Sequence, residues 1–323
     1  KIKVLLIDRS DRCFSKQISD QFFKVSATNF YAISKIIDKY KPDFFLTYSS
    51  QYSVFKNLSK LSKKYKKNFI SESQLKIINN KKKMKKFFLE NKIKTPKKLS
   101  INKKTMFPVI FKPEVGAGSS GVKRIKNQKE FVNFRKNLPR KGFFEEYING
   151  ELYHIDGYST EKENGICTIL KKNFTLIDNI PLTSSYEVLG LNDKKKFIKL
   201  VKPDLKKILT KLNIKRNFWG IDFLYKNKNI YFIEIGLLHD CYTDYLYKKL
   251  KIDIYKFFIS LIKGKILRNE IKKFDKIKKA KMLFLYNLKK KKYKNIVIIN
   301  KNNKQKKKPN SISDIIGFKF INC

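Results

Sequence analysis

The chain has 323 residues, of which 75 are Lys or Arg and 27 are Asp or Glu, for a formal net charge of +48. With 42% hydrophobic and 14% aromatic residues it can bury a substantial core in two or three domains, which excludes a disordered chain. No apolar run approaches membrane-spanning length and no signal peptide is visible. Cys13, Cys167, Cys241 and Cys323 have neither metal spacing nor a disulfide-dense pattern, so a reducing cytoplasm is the expected setting. The excess positive charge is mostly lysine, spread along the whole chain with abundant Ile and Asn, a pattern that fits coding bias. Sequence-specific nucleic-acid readers favour Arg for its bidentate contacts, and Arg is scarce. The dense patches at 289–292 and 306–308 read as solvated loops, so no dedicated nucleic-acid partner is expected.

Residues 3–8 (KVLLID) predict a buried strand, 33–40 a helix, 43–48 (DFFLTY) a second strand, 54–65 a helix and 68–70 a third strand. That alternation predicts a small α/β layer with a parallel sheet. A helix is expected over 81–91, ending at the turn Thr95-Pro96.

The stretch that follows is the most informative. Val109, Ile110 and Phe111 predict a strand, 122–125 a second one, and Gly116, Gly118 and Gly121 lie between them. Glycines let backbone N–H groups close around a phosphate. Ser119 and Ser120 add hydroxyls, and Lys112 puts a point charge at the base of the loop. The reading is a phosphate lid between two antiparallel strands. The spacing matches G-x-G-x-x-G, but a dinucleotide fingerprint opens a helix after the first strand, and here no helix signal follows. Val122 stands where a Walker A loop needs Lys, and no H-R-D or D-F-G follows as in a protein kinase. The bland alternative is a structural hairpin.

Beyond it, 129–138 predicts a helix and 142–148 (GFFEEYI) a strand ending at the Asn149-Gly150 turn. Residues 152–158, 165–170 and 174–180 read as antiparallel strands, and 194–212 as an amphipathic helix with a break near Pro203. Residues 218–225 and 230–235 predict a hairpin, 242–262 helix, and 281–286 with 295–299 a β-rich tail. Glu145, Glu146, Tyr147 and Ile148 form an extended segment whose backbone can serve an adenine edge. Asp222 and Glu234 stand inside the apolar runs WGIDFLY and IYFIEI. Acidic groups there need a cation or a proton, either a lysine or a hard metal ion, and downstream of a phosphate lid the metal is favoured. His154 reads as structural; His239, Asp240 and Cys241 are candidate pocket residues, and Tyr242 and Tyr245 read equally as substrate contacts or as core.

At these residues the chain resembles ATP-grasp proteins of the carboxylate–amine ligase branch, over about residues 1–270. Asn80-Lys81, with Met84-Lys85 and Thr95-Pro96, is similar to the family's Asp-Lys helix and T-P turn. Residues 107–122 resemble its lid, 145–150 its adenine hinge, and Asp222 with Glu234-Ile235-Gly236 its metal-binding end. The resemblance implies an α/β chain, α+β overall: a Rossmann-like pre-ATP-grasp layer (1–75), a lid subdomain (76–149), a large subdomain with the metal site (150–268), and a β-rich C-terminal extension (269–323). It implies that Lys81, Lys112 and the 116–121 loop touch the phosphates of ATP. It further implies that Glu145, Glu146, Tyr147 and Ile148 hold adenine, and that Asp222 and Glu234 hold Mg²⁺ or Mn²⁺. The implied activity joins a small-molecule carboxylate to an amine through an acyl phosphate, with a homodimer allowed. The chain departs from the pattern at Asn80, usually Asp; at Leu152, where a ribose-binding Glu is expected although Glu151 is adjacent; and at Gly236, commonly Asn. Leu237-Leu238 stand where a substrate-facing Arg is expected. A nucleotide-binding protein without turnover is therefore the second reading, and a basic nucleic-acid-binding protein the third.

Overall fold

The computed structural model describes residues 2–47, 49, 51–67, 69–102, 105–116, 120–138, 141–177, 180–240, 242–265, 267–286, 296–298, 315 and 317–321. The chain divides into two compact units, residues 1–76 and 77–323.

In the first unit β1 (Leu5–Asp8) pairs in parallel with β2 (Gln21–Lys24). Helices α1 (Phe30–Tyr40) and α2 (Tyr52–Lys64) bring Ile33, Ile37 and Leu61 together against Ile7, Val25 and Phe45. The Asn29 side chain caps α1 by accepting from the Ala32 amide, and Lys41 ends it in the left-handed conformation. Two expectations need correction. The second strand is the QFFK stretch of β2, and the described residues of 43–48 and 68–70 form no strand. An apolar run reports burial, not pairing: Phe45 packs on the helix pair without entering a ladder. The described sheet of this unit is thus a two-stranded parallel pair. Helix α3 (Glu72–Ile78) carries the chain onward.

The second unit opens with α4 (Lys81–Glu90), which starts one residue after Asn80 as expected. The Asn80 side chain accepts from the Lys83 amide at 2.9 Å, so Asn serves the cap as Asp would. A four-stranded antiparallel sheet follows, formed by β3 (Lys98–Leu99), β4 (Val109–Pro113), β5 (Lys123–Ile125) and β6 (Gly142–Glu146) in the order β3-β6-β4-β5. Helix α5 (Gln128–Lys136) packs Phe131 on Val109 and Ile125. The glycine loop therefore does join two antiparallel strands, with Val109 opposite Ile125 and Phe111 opposite Lys123.

The larger sheet contains β7 (Glu151–Ser159), β8 (Asn164–Ile177), β9 (Ile180–Val188), β10 (Asn217–Lys226) and β11 (Asn229–Gly236). Strand β8 is one 14-residue element where two were expected; register shifts where it pairs with β7 and β9 let it bend without breaking. Helix α6 (Leu191–Lys211) runs through Pro203 without stopping. Pro203 and Lys199, whose carbonyl loses its amide partner, are both exposed, so water can serve that carbonyl. Helices α7 (Thr243–Lys249), α8 (Ile254–Ile262) and α9 (Arg268–Asp275) cover one face of the sheet, packing Tyr247, Phe257 and Phe274 on Phe218 and Tyr158. Phe197 of α6 covers Tyr153 and Phe223 on the other face. The β-rich tail is not a separate layer. Strands β12 (Ala280–Leu285), β13 (Ile296–Ile298) and β14 (Gly317–Ile321) extend the sheet to eight strands, ordered β11-β10-β7-β8-β9-β12-β14-β13. The basic patches at 289–292 and 306–308 lie outside the described residues.

Helix α4 is the element that ties the two sheets together. Its Phe88 ring lies 6.3 Å from that of Phe232 on β11, the Met84 sulfur accepts from the Ile235 amide at 3.2 Å, and the Phe232 amide donates to the Lys94 carbonyl at 2.8 Å.

Candidate functional site

Helix periodicity puts Lys81 and Lys85 on one face of α4, one turn apart. Lys81 pairs with Glu234 of β11, on the large sheet. Lys85 Nζ lies 2.8 Å from Glu145 Oε2, at the end of β6 in the small sheet. Lys112 of β4 lies 2.6 Å from the other oxygen, Glu145 Oε1. Glu145 is almost fully buried, which by itself would raise its pKa; the Lys112 and Lys85 ammonium groups outweigh burial and hold it below the ordinary carboxylate value. Burial lowers the Lys85 pKa in spite of Glu145. Contacts thus run without a gap from Lys112 through Glu145, Lys85 and the first turn of α4 to Lys81 and Glu234.

Glu234 and Asp222 are register partners across the β10–β11 hairpin, so both project from the same face of the sheet. A bulge follows Asp222 at once. Asp222 sits in a buried polar cluster. Its Oδ1 is 2.5 Å from His154 Nδ1 and 3.1 Å from Lys172 Nζ. His154 Nε2 is 2.8 Å from Asp156 Oδ1, and Asp156 Oδ2 accepts from Thr243 and Tyr247 hydroxyls at 2.9 and 2.7 Å. Lys172 Nζ reaches Asp240 Oδ2 at 3.1 Å, and that oxygen also accepts from the Tyr186 hydroxyl at 2.6 Å. Burial and the nearby Lys172 oppose protonation of His154, yet Asp156 and Asp222 prevail and push its pKa up to about 9. Burial raises and Lys172 with His154 lowers the Asp222 pKa, and the cations win.

The other residues singled out from the sequence fall as follows. Gly121 has φ +76, and a Cβ there would stand 2.9 Å from Pro113 Cγ, so the loop's return onto β4 requires glycine. Gly118 and Ser119 lie outside the described residues; Gly116 and Ser120 flank them. The Glu146 carboxylate accepts from the Lys97 amide at 2.8 Å, Tyr147 lies under the Arg124 guanidinium, 4.3 Å to the ring centre, and Ile148 is buried. Glu151, itself exposed, pairs with Lys171 and accepts from the Tyr153 hydroxyl. His154 is buried between Asp156 and Asp222. Tyr242 and Tyr245 pack on Phe318 of the core. Sequence reasoning assigned no role to Lys85, Asp156 or Lys172. In a chain this rich in lysine, residue type could not single out Lys85 or Lys172; Asp156 could have been flagged as a carboxylate inside a buried strand.

Whether a divalent ion fits follows from these donors. Glu234 is partly exposed and its partner Lys81 is a long side chain on the first turn of α4, so a phosphate can draw the lysine away and free the carboxylate. Asp222 does not fit as a metal ligand in the same way, because two buried cations already hold it. Among the described residues no group of three or more His, Cys, Asp or Glu is arranged to hold a metal.

Two sheets joined by a cation-bearing helix, with a glycine hairpin in the smaller and a paired acidic hairpin in the larger, define the class. Residues 78–236, which hold these parts, match the family model described as the ATP-grasp domain. No curated protein matches its sequence. Solved structures show the same fold at low identity. An L-amino acid ligase from Bacillus licheniformis superposes with a TM-score of 0.76 at 15% identity, covering 99% of this chain and 86% of that one. A phosphoribosylglycinamide synthetase from Anaerococcus prevotii gives 0.65 at 16%, covering 94% and 84%. The biotin carboxylase domain of a Hydrogenobacter thermophilus 2-oxoglutarate carboxylase, solved with MgADP, ADP and bicarbonate, gives 0.68 at 13%, covering 99% and 81%. No helix among the described residues is long and apolar enough to cross a membrane.

Proposed function

We propose that the chain is an ATP-dependent ligase that activates a small-molecule carboxylate for attack by an amine. The observation that carries this reading is α4, which presents Lys81 toward Glu234 and Lys85 toward the Glu145–Lys112 pair. Lys81 and Lys85 of α4 and Lys112 of β4 thereby gather at Glu234 and Glu145, a set of cations suited to a polyphosphate. Lys81, Lys112 and the 116–121 loop, with Gly118, Ser119, Ser120 and Gly121, would hold the phosphates, and the backbone of Glu145 to Ile148 the adenine. A carboxylate oxygen of the substrate attacks the γ-phosphorus, the bond to the β-phosphate oxygen breaks, and ADP leaves. The amine nitrogen then attacks the acyl carbon, phosphate departs, and the amine loses a proton. Positioning and charge stabilisation are what such a transfer asks of a protein, and fixed lysines supply both. Glu145 keeps Lys112 and Lys85 ordered before the nucleotide arrives. Mg²⁺ or Mn²⁺ held by Glu234 and the phosphates would neutralise charge on the transferring group.

The test is ADP and phosphate release across a panel of amino acids and sugar acids, each paired with amine acceptors. Carboxylate-dependent ADP release supports the ligase. Gly236 and Leu238, which leave the acidic strand without the usual neighbouring donor and Arg, favour a second reading: nucleotide binding with no turnover over the whole panel would select it.

A further inference from the structure

We propose that Lys172 is a built-in cation of the nucleotide site, seated at Asp222 in place of a metal ion, so that the site takes a single divalent ion per nucleotide, at Glu234. The proposal rests on the nucleotide-dependent reading above and specifies how its charge is neutralised. Lys172 Nζ stands 3.1 Å from Asp222 Oδ1 and 3.1 Å from Asp240 Oδ2. The three side chains come from β8, β10 and the segment after β11, and each is at most 16% exposed. His154 Nδ1 closes on the same Asp222 oxygen at 2.5 Å. Two carboxylates from separate elements converging on one point is the donor arrangement of a hard divalent ion. Here an ammonium occupies that point. A second ion at Asp222 would have to sit beside the Lys172 ammonium, where like-charge repulsion in a partly dehydrated cluster is strong.

A second observation is independent of Lys172. A Cβ at Gly236 would meet nothing closer than 3.9 Å, the carbonyl oxygens of Gly220 and Leu238, and Gly236 has no positive φ. Packing therefore does not require glycine. The position next to the acidic pair is open to a donor side chain and carries none. Glu234, whose side chain is 34% exposed against 16% for Asp222, remains the carboxylate that an ion can reach.

The test counts Mn²⁺ bound per nucleotide by electron paramagnetic resonance on the full chain with a non-hydrolysable ATP analogue. Nucleotide affinity is measured separately by displacement of a fluorescent analogue. Wild type is expected to bind one Mn²⁺ per nucleotide and Lys172→Met two, with Lys172→Arg staying at one because the cation is kept. Gly236→Asn, which adds a donor without touching Lys172, is also expected to stay at one, and it serves if Lys172→Met does not fold. Two Mn²⁺ per nucleotide in wild type or in Gly236→Asn, or one in folded Lys172→Met, overturns the proposal while leaving the nucleotide reading intact. Absence of any nucleotide binding by wild type overturns both.

Discussion

Lys81 and Lys85 stand one turn apart on α4 yet reach different sheets, Lys81 to Glu234 and Lys85 to Glu145. One short helix therefore holds the lid sheet and the acidic hairpin in register through charge as well as through the Phe88–Phe232 contact.

The Lys85–Glu145 pair is the structural half of that arrangement. Both side chains are buried, and removing one partner leaves the other charge poorly compensated. Lys85→Met is expected to destabilise the fold by about 3 kcal/mol, the lower end for breaking a buried pair because Lys112 still holds Glu145. Urea unfolding measures it; an unchanged midpoint would show that Lys112 suffices.

Lys112 is the half that the proposed function sets against phosphate. A charge-assisted contact to phosphate contributes roughly 1.5–3 kcal/mol, so Lys112→Ala should weaken ATP binding by about 10- to 100-fold. Calorimetric titration with ATP checks this, and unaltered affinity would count against the lid assignment.

Glu234→Gln should abolish turnover that depends on Mg²⁺ and leave the circular dichroism spectrum and melting temperature of the wild type. The Glu234 side chain is partly exposed, and its neighbours Phe232 and Ile235 carry the packing. Full activity in the mutant would remove Glu234 from the metal site.

Gly121→Ala tests the return of the loop. The left-handed conformation and the close approach to Pro113 should together cost roughly 1–2 kcal/mol and loosen nucleotide binding several-fold. Thermal melts with and without ATP separate the two effects.

The pH dependence has a sign on each side. Glu145 has a lowered pKa when folded, so its contribution is present above its ordinary value of 4.5 and is lost as pH falls through the lowered value. His239 is raised: burial opposes its charge, but hydrogen bonding to Asp244 and the charge of Asp156 outweigh burial. Its contribution is complete below 6.5 and is lost as pH rises through the folded value. Asp244→Asn should flatten the stability decline above pH 6.5, as read by urea midpoints across pH; an unchanged profile would assign the decline to other groups.

Local pattern carried much of the architecture. Apolar runs bounded by turn residues marked the β4–β5 and β10–β11 hairpins, and Asn80 marked the start of α4, because strand alternation and capping are properties of a few neighbouring residues. The same logic misread residues 43–47, where burial of Phe45 mimics a strand, and Pro203, which a helix tolerates when the freed carbonyl faces water. It also stopped short of the C-terminal strands' destination, since which sheet a strand joins depends on partners far along the chain.

What the sequence by itself determined was the set of chemical parts: a glycine loop with a lysine at its base, an extended acidic segment, and two carboxylates inside apolar strands. What only the tertiary structure decided was which of many lysines answers which carboxylate. Lys81 and Glu234 are 153 residues apart, and Lys172 and Asp222 are 50 apart. Lysine identity is nearly uninformative in a chain with this charge, so the pairing comes from strand register and helix docking, which bring distant side chains within a few ångströms and exclude the water that would otherwise screen them.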